Sequence, residues 1–168
     1  MNLRENTCCF TGHREIPANQ REALQAILED RLRYLIACGY SRFCCGAARG
    51  FDTLAAQTVW SLKQEFPDIT LRLFLPYQGS TLQWSEKRMK EWRFILPDSE
   101  YAPAPDHYFQ GCFHQRNRAM VDESSCCITY LTKKRGGTQY TVQYARKQGI
   151  EVIDLTQFAL FQQKTATF

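Results

Sequence analysis

The sequence has no apolar run that approaches the length needed to cross a bilayer. Of its 168 residues, 44% are hydrophobic and 23% are charged, as in an ordinary globular protein, whereas a membrane-spanning helix needs roughly 20 consecutive apolar residues. Residues 1–6 also lack the apolar stretch of a secretory signal peptide. We therefore expect a cytoplasmic protein with no membrane partner, long enough to bury a core of its own.

The eight cysteines do not follow a metal-binding pattern, because no C-x-x-C occurs. Six of them form the adjacent pairs Cys8-Cys9, Cys44-Cys45 and Cys126-Cys127. Neighbouring residues of a strand point to opposite faces, so an adjacent pair cannot grip one metal ion together. We expect no metal site and interpret the pairs as small buried side chains. His107 and His114 have no companion at metal-ligand spacing, and we interpret them as structural.

A strongly basic face is also missing. The formal net charge is +4, and the only basic run is Lys133-Lys134-Arg135. This mild charge attracts a small anion but falls short of the clustered basic surface of a nucleic-acid-binding protein. The composition therefore argues against nucleic acid as a partner.

Short apolar segments alternate with segments of helical periodicity along the chain. The pattern predicts strands at 7–11, 40–45, 69–75, 99–102, 126–131 and 150–155. It also predicts one helix that ends before Gly39 and four further helices at 52–65, 81–94, 108–121 and 137–148. Strands that alternate with helices favour a mostly parallel sheet with helices on both faces. We predict a single α/β, Rossmann-like domain over residues 1–155, followed by a C-terminal tail or short docking helix at 156–168.

Three glycine-containing turns follow predicted strands at their carboxyl ends. Gly12 to Arg14 follows the first strand, Gly46 to Asp52 the second, and Gly136 to Thr138 the strand at 126–131. Parallel sheets bind ligands at this edge, and a turn that opens a helix offers backbone N–H groups and a helix dipole to a phosphate. None of the turns has the dinucleotide spacing G-x-G-x-x-G or the lysine of a P-loop, so the motifs alone do not define the ligand.

We expect these turns and one arginine of the helix at 108–121 to form a single ligand site. The candidate ligand-binding residues are Gly12, His13, Arg14, Gly46, Ala47, Gly50, Asp52, Arg116, Gly136, Gly137 and Thr138. Arg14 and Arg116 would neutralise phosphates. Asp52 would accept from a ribose hydroxyl or cap its helix, and His13 would contact the ligand, act as an acid–base group or serve the structure. No residue is singled out as catalytic.

Taken together, these motifs resemble the YpsA-like branch of the SLOG superfamily. The resemblance rests on Phe10-Thr11-Gly12-His13-Arg14, on Gly46 to Ala55, on Arg116 to Val121 and on Gly136 to Ala145, and it extends from about Thr7 to Leu155. It implies a Rossmann-like fold and the binding of a nucleotide or nucleotide-derived molecule. The superfamily includes the DNA-processing protein DprA and the LOG phosphoribohydrolases.

The resemblance also separates binding from catalysis. LOG enzymes carry an R-K-x-x-M helix, which Arg116 and Met120 match in spacing, and a P-G-G-x-G-T-x-x-E loop. Here the loop lacks its third glycine, and Thr141 stands where the glutamate is needed. Hydrolysis through an oxocarbenium-like centre benefits from a nearby carboxylate, so its absence favours binding, although Asp52 or Glu123 could replace it.

We therefore expect a sensor or carrier of an ADP-ribose- or NAD-like molecule, with no cofactor assigned. The alternatives are a phosphoribohydrolase-like enzyme that cleaves a nucleotide at its N-glycosidic bond and a DprA-like single-strand DNA binder. Trp84, Trp92 and Phe94 give the helix at 81–94 more aromatic surface than a lone helix needs. Core packing or a homodimer contact would account for it.

Overall fold

The computed structural model describes residues 2–165 and contains a six-stranded parallel sheet. Met1 and residues 166–168 of the predicted tail lie outside the described residues. The strands are Thr7–Gly12 (β1), Arg42–Cys45 (β2), Thr70–Leu73 (β3), Glu100–Tyr101 (β4), Cys126–Tyr130 (β5) and Glu151–Asp154 (β6). Their order is β4-β3-β2-β1-β5-β6. The strand order therefore reverses at β1, which lies between β2 and β5, and the predicted Rossmann-like fold is confirmed.

Helices cover both faces of this sheet. They are Ala18–Ala37 (α1), Phe51–Leu62 (α2), Glu86–Trp92 (α3), Cys112–Asp122 (α4), Gly137–Lys147 (α5) and Ala159–Thr165 (α6). The apolar stripe predicted for α1 is buried at Leu24, Leu28 and Leu32 on one face, while Met120 and Val121 of α4 are buried on the other. None of the helices in the described part of the chain is long and apolar enough to cross a membrane.

The cysteine pairs divide between the two faces of the sheet. Cys8 and Cys126 belong to the core beneath α1 and α2, whereas Cys9 and Cys127 belong to the core beneath α4 and α5. All four side chains are fully buried, and burial raises the pKa of the Cys8 thiol. The interpretation of the pairs as small buried side chains is confirmed. Within residues 2–165, no three His, Cys, Asp or Glu side chains are grouped to hold a metal ion.

The continuous helix predicted at 81–94 is wrong. The segment forms a 3-10 turn at Ser80–Gln83 and then the short helix α3, with Trp84 extended between them (ψ 143°). Ser85 causes the break, because its side chain accepts a hydrogen bond from the Arg88 N–H and so caps the new helix.

The helix predicted from residue 108 starts later than expected. Gly111 has a left-handed conformation (φ 93°), which ends the preceding loop and lets α4 begin at Cys112. The loop before it leaves Tyr108 and Phe109 exposed.

The chain after β6 forms a 3-10 turn at Leu155–Gln157 and then α6, which lies against α1. Phe161 anchors this helix: its ring is 6% exposed and lies 6.2 Å from the Tyr130 ring. Within the segment predicted as a C-terminal tail or short docking helix, residues 159–165 thus form a helix.

Candidate functional site

The three glycine turns meet at the carboxyl end of β1. The Phe51 N–H, at the start of α2, donates to the His13 carbonyl oxygen over 3.1 Å. The His13 imidazole accepts on Nε2 from the backbone N–H groups of Thr132 and Lys133, at 2.8 and 3.1 Å. The turn after β1 is therefore hydrogen-bonded to the segments that follow β2 and β5, its two neighbours in the sheet.

Two neighbouring cavities open at this edge. The first, here called the Trp84 cavity, has a volume of about 560 Å³. It is lined by Arg14, Glu15, Gly46, Ala47, Ala48, Arg49, Leu75, Pro76, Tyr77, Ser80, Gln83, Trp84, Arg88, Phe113 and Arg116.

The second, here called the Gly136 cavity, has a volume of about 330 Å³. It is lined by Phe10, Thr11, Gly12, His13, Arg14, Ala48, Asp52, Phe113, His114, Arg116, Asn117, Met120, Arg135, Gly136, Gly137 and Thr138. Arg14, Ala48, Phe113 and Arg116 line both cavities and form the wall that they share.

Two arginines hold the turn after β2 by its carbonyl groups. Arg116 donates from Nη1 to the Gly46 carbonyl, and Arg88 donates from Nη2 to the Ala47 carbonyl. Ala47 has φ 55°, a left-handed conformation that costs a residue with a Cβ roughly 1–2 kcal/mol. The arginine contacts hold the turn in this shape, and strain of this kind is concentrated at functional sites.

Glycine is required in this turn for two different contacts. At Gly46 an added Cβ would lie 2.9 Å from the Arg116 guanidinium carbon and 3.0 Å from Oδ2 of Asp52. At Gly50 (φ 71°) it would lie 2.3 Å from the Arg14 carbonyl oxygen. Gly46 thus lines the site. Gly50 does not line either cavity, and its lack of a Cβ lets the turn after β2 pack closely against the backbone of His13 and Arg14.

Asp52 lies within the first turn of α2 and is 5% exposed. Its side chain does not cap the helix; instead Oδ2 accepts the Ala48 N–H at 3.1 Å and closes the turn. Burial raises the pKa of Asp52, and the positive charges of Arg116 and Arg14 partly offset this effect. Asp52 also lines the Gly136 cavity.

Positive charge at the site exceeds negative charge. Five arginines line the cavities: Arg14, Arg49, Arg88 and Arg116 line the Trp84 cavity, and Arg135 lines the Gly136 cavity. Among the residues the structure describes, none of the five forms an ion pair with a carboxylate. Burial lowers the pKa of Arg88, and so do the charges of Arg49 and Arg14. Arginine remains protonated in proteins, so the cluster is an attractive site for an anion.

His13 is held as a neutral acceptor. Burial lowers its pKa, the charge of Lys133 lowers it further, and Asp154 opposes both. A protonated imidazole has no acceptor nitrogen, so the two bonds from Thr132 and Lys133 require the neutral form. The residue joins the turns and also lines the Gly136 cavity.

The turn after β5 presents the N-terminus of α5 to the Gly136 cavity. Gly136 precedes the helix, Gly137 begins it and Thr138 follows, all three lining the cavity together with Gly12. Thr141 is 1% exposed and donates its hydroxyl to the Gly137 carbonyl at 2.9 Å. The helix N-terminus is therefore open to an anion, whereas the Thr141 hydroxyl is used in a hydrogen bond within α5.

Glu123 does not lie at this site. It follows α4 and precedes β5, at the amino edge of the sheet, where it accepts from Arg72 Nε at 3.1 Å. Asp52 is the one carboxylate among the residues that line the Gly136 cavity in the described part of the chain.

Several residues that line the cavities lie outside the glycine turns and are not among the candidates predicted from the sequence. Trp84 and Arg88 come from the segment predicted as one helix; the Arg88 guanidinium lies 3.8 Å from the Trp84 ring centroid. Phe113 and Asn117 lie on α4 beside Arg116, and the helical spacing from Arg116 and Met120 could have identified them. His114, interpreted as structural, lines the Gly136 cavity and packs 4.3 Å from the Tyr140 ring.

The fold and the position of the cavities indicate the class of protein. A parallel sheet with glycine turns at its switch point is the arrangement of α/β proteins that bind ligands at the carboxyl edge. A model of the YpsA family, described as the YspA SLOG family, matches residues 8–159. The chain belongs to this family, and the resemblance predicted from the motifs is confirmed.

The chain is also similar to individual known proteins. The chain is 24% identical over 129 residues to a UPF0398 protein of Bacillus velezensis, with 74% of this chain and 71% of that protein covered. The structure is similar to that of DNA processing protein A (DprA) from Streptococcus pneumoniae, with a TM-score of 0.68, 14% identity, and 98% of this chain and 57% of the other covered.

A structure of DNA processing protein A from Helicobacter pylori gives a TM-score of 0.65 at 15% identity, covering 96% of this chain and 75% of that one. At these identities the similarity establishes the fold alone.

Proposed function

We propose that the chain binds a nucleotide-derived small molecule, ADP-ribose- or NAD-like, as a cytosolic sensor or carrier. The observation that carries this proposal is the unbalanced charge at the switch point of the sheet. Arg14, Arg49, Arg88 and Arg116 converge there without an ion-pair partner among the described residues. Arginine clusters and helix N-termini recognise phosphate.

The candidate residues supply the groups that such a ligand requires. The N-terminus of α5, at Gly137 and Thr138, offers backbone N–H groups to a phosphate, and Arg14 and Arg116, which line the same cavity, offer positive charge. Asp52 offers a buried carboxylate oxygen for a ribose hydroxyl.

Isothermal titration calorimetry against AMP, ADP-ribose, NAD and ribose 5-phosphate tests the proposal. Arg14→Gln should weaken binding, because Arg14 is exposed and lines both cavities. Arg146→Gln is the matched control, since this exposed arginine lies in the last turn of α5 at the far edge of the sheet. Absence of heat with every member of the panel at millimolar ligand would remove the proposal.

An enzymatic function has one observation in its favour. Asp52 lines the Gly136 cavity, and burial raises its pKa, as is common for carboxyl groups that act as acids. A phosphoribohydrolase-like activity would release free base from a nucleoside monophosphate, which chromatography detects. Loss of that release in Asp52→Asn would support hydrolysis, and absence of release from every nucleotide in the wild type would exclude it.

Single-strand DNA binding is the other candidate. The expectation that nucleic acid is not a partner gains no support from the comparisons, because the Helicobacter pylori structure is described by its single-stranded DNA binding mode. An exposed aromatic ring lies next to the site: Tyr108 is 60% exposed, and its ring centroid lies 5.8 Å from that of Tyr77, which lines the Trp84 cavity. Bases stack on such rings. Fluorescence anisotropy with a labelled oligothymidylate should then give an affinity that falls steeply with salt.

A further inference from the structure

We infer that the ligand has two halves joined by a pyrophosphate: its base lies in the Trp84 cavity, its pyrophosphate at the shared wall and its second half in the Gly136 cavity. This inference rests on the proposed function and assigns the parts of the ligand to parts of the site. Four steps carry it.

The first step concerns size. The Gly136 cavity, at about 330 Å³, lies at the lower end of the roughly 300–1,000 Å³ typical of pockets that enclose a small molecule. The Trp84 cavity adds a second space of about 560 Å³ beside it. A nucleoside monophosphate would leave much of this space empty, whereas a two-part nucleotide would occupy both cavities.

The second step concerns charge. Arg14 and Arg116 are the charged residues that line both cavities, and Phe113 lies between them, with its ring centroid 6.0 Å from the Arg14 guanidinium and 5.6 Å from that of Arg116. Arg88 and Arg49 add charge on the side of the Trp84 cavity. Like charges at close range destabilise each other, and a ligand with two negative charges at this wall offsets more of that repulsion than a single charge does.

The third step concerns buried polar groups on residues that line the Trp84 cavity. The Ser80 hydroxyl and Nε of Arg88 are buried and have no hydrogen-bond partner within the described residues, and both residues line this cavity. A buried polar group without a partner costs free energy. Both atoms lie beneath the cavity surface, so a ligand that shifts the side chains covering them and carries nitrogen and oxygen acceptors, as a nucleobase does, would satisfy both groups.

The fourth step concerns which half enters which cavity. Tyr77, Trp84 and Phe113 line the Trp84 cavity together with Leu75 and Pro76, a surface suited to a flat base. The lining of the Gly136 cavity includes Asp52, Thr138 and the N-terminus of α5, groups that bond to hydroxyls and anions. The base therefore belongs in the former and a sugar-like half in the latter.

Calorimetry and tryptophan fluorescence test this with ADP-ribose, AMP and ribose 5-phosphate. We expect ADP-ribose to bind about tenfold or more tightly than AMP, because it adds hydrogen bonds in the second cavity. AMP and ADP-ribose should change the fluorescence of Trp84, ribose 5-phosphate should not, and Trp84→Phe should abolish the change.

Two variants assign the halves. Thr138→Val removes a hydroxyl that lines only the Gly136 cavity, and it should weaken ADP-ribose about tenfold while leaving AMP unchanged. Arg49→Gln removes a charge that lines only the Trp84 cavity, and it should weaken both AMP and ADP-ribose but not ribose 5-phosphate. Arg146→Gln should change none of the three.

The outcomes separate this inference from the function on which it rests. If ADP-ribose and AMP bind equally and Thr138→Val alters neither, only one cavity is used; the inference is then overturned and the proposed function stands. If nothing binds to a wild-type protein that circular dichroism shows to be folded, both are overturned.

Discussion

Arg116 donates a hydrogen bond from its guanidinium to the Gly46 carbonyl and so ties α4 to the turn after β2. The same guanidinium accounts for the glycine, because a Cβ at position 46 would touch it. This pair connects two motifs that lie 70 residues apart in the sequence. It also places a charge at the wall between the two cavities.

Arg116→Met should destabilise the fold, because the Gly46 carbonyl would lose its donor. An unsatisfied buried acceptor costs about 1–3 kcal/mol, and methionine preserves much of the apolar stem. Urea denaturation followed by circular dichroism measures the loss in the free energy of unfolding. Arg146→Met removes an exposed arginine as the control and should stay within about 0.5 kcal/mol of the wild type. Equal stability of the two variants would contradict the bracing role.

Gly46→Ala and Gly137→Ala should have opposite consequences for stability. The first places a methyl group against Arg116 and Asp52, and overpacking of this kind costs about 1–3 kcal/mol. The second adds a Cβ where nothing lies within 4 Å, so it should be neutral or stabilising by up to about 1 kcal/mol through the unfolded chain. Thermal unfolding of both variants in one buffer compares them directly. A Gly46→Ala protein as stable as Gly137→Ala would refute the close contact.

His13 should make the fold less stable as the pH falls. Its pKa is lower in the folded protein than the ordinary value of 6.5, so below that value the unfolded chain takes up a proton that the folded chain resists. The stabilisation is present above pH 6.5 and is lost as the pH falls toward the folded pKa. Urea titrations at pH 7.5 and 5.0 should show a smaller loss in His13→Gln than in the wild type. The same loss in both would show that another group is responsible.

Asp52 should make the fold less stable as the pH rises, over a lower pH range than His13. Burial raises its folded pKa above the ordinary 3.8, so the folded protein holds the proton more strongly than the unfolded chain does. Its contribution to stability therefore decreases as the pH rises from 3.8 through the folded pKa. Asp52→Asn retains an oxygen for the Ala48 N–H and should remove this decrease. A series of denaturant titrations between pH 3.5 and 6.5 compares the two slopes, and identical slopes would refute the prediction.

The docked helix α6 should be part of the folding unit rather than a separable tail. Phe161→Ala should cost about 3 kcal/mol, because it empties a buried site against the Tyr130 ring. Gln143→Ala, an exposed change on α5, serves as the control and should have little effect. Urea denaturation measures the free energy of unfolding of both variants and of the wild type. A Phe161→Ala protein as stable as the wild type would favour a domain that ends near residue 155.

Much of the fold follows from local patterns in the chain. Apolar alternation identifies the strands, and the spacing of Leu24, Leu28 and Leu32 identifies α1, because burial of one face imposes a period that a short window reveals. The break at Ser85 does not follow from such patterns, because its side-chain cap ends a helical pattern that otherwise continues. Gly111 shifted the start of α4 for a similar reason, through its backbone conformation.

The three glycine turns, their place at the carboxyl ends of strands, and the family could all be read from the sequence. Turn residues and strand ends are local signals, and parallel strands bring their carboxyl ends to one edge. The tertiary structure was needed to show that Arg88 reaches the turn after β2, that Asp52 closes the turn rather than capping its helix, and that Glu123 lies at the far edge. These outcomes depend on strand order and on side chains from distant segments, and no local pattern encodes which residues such side chains reach.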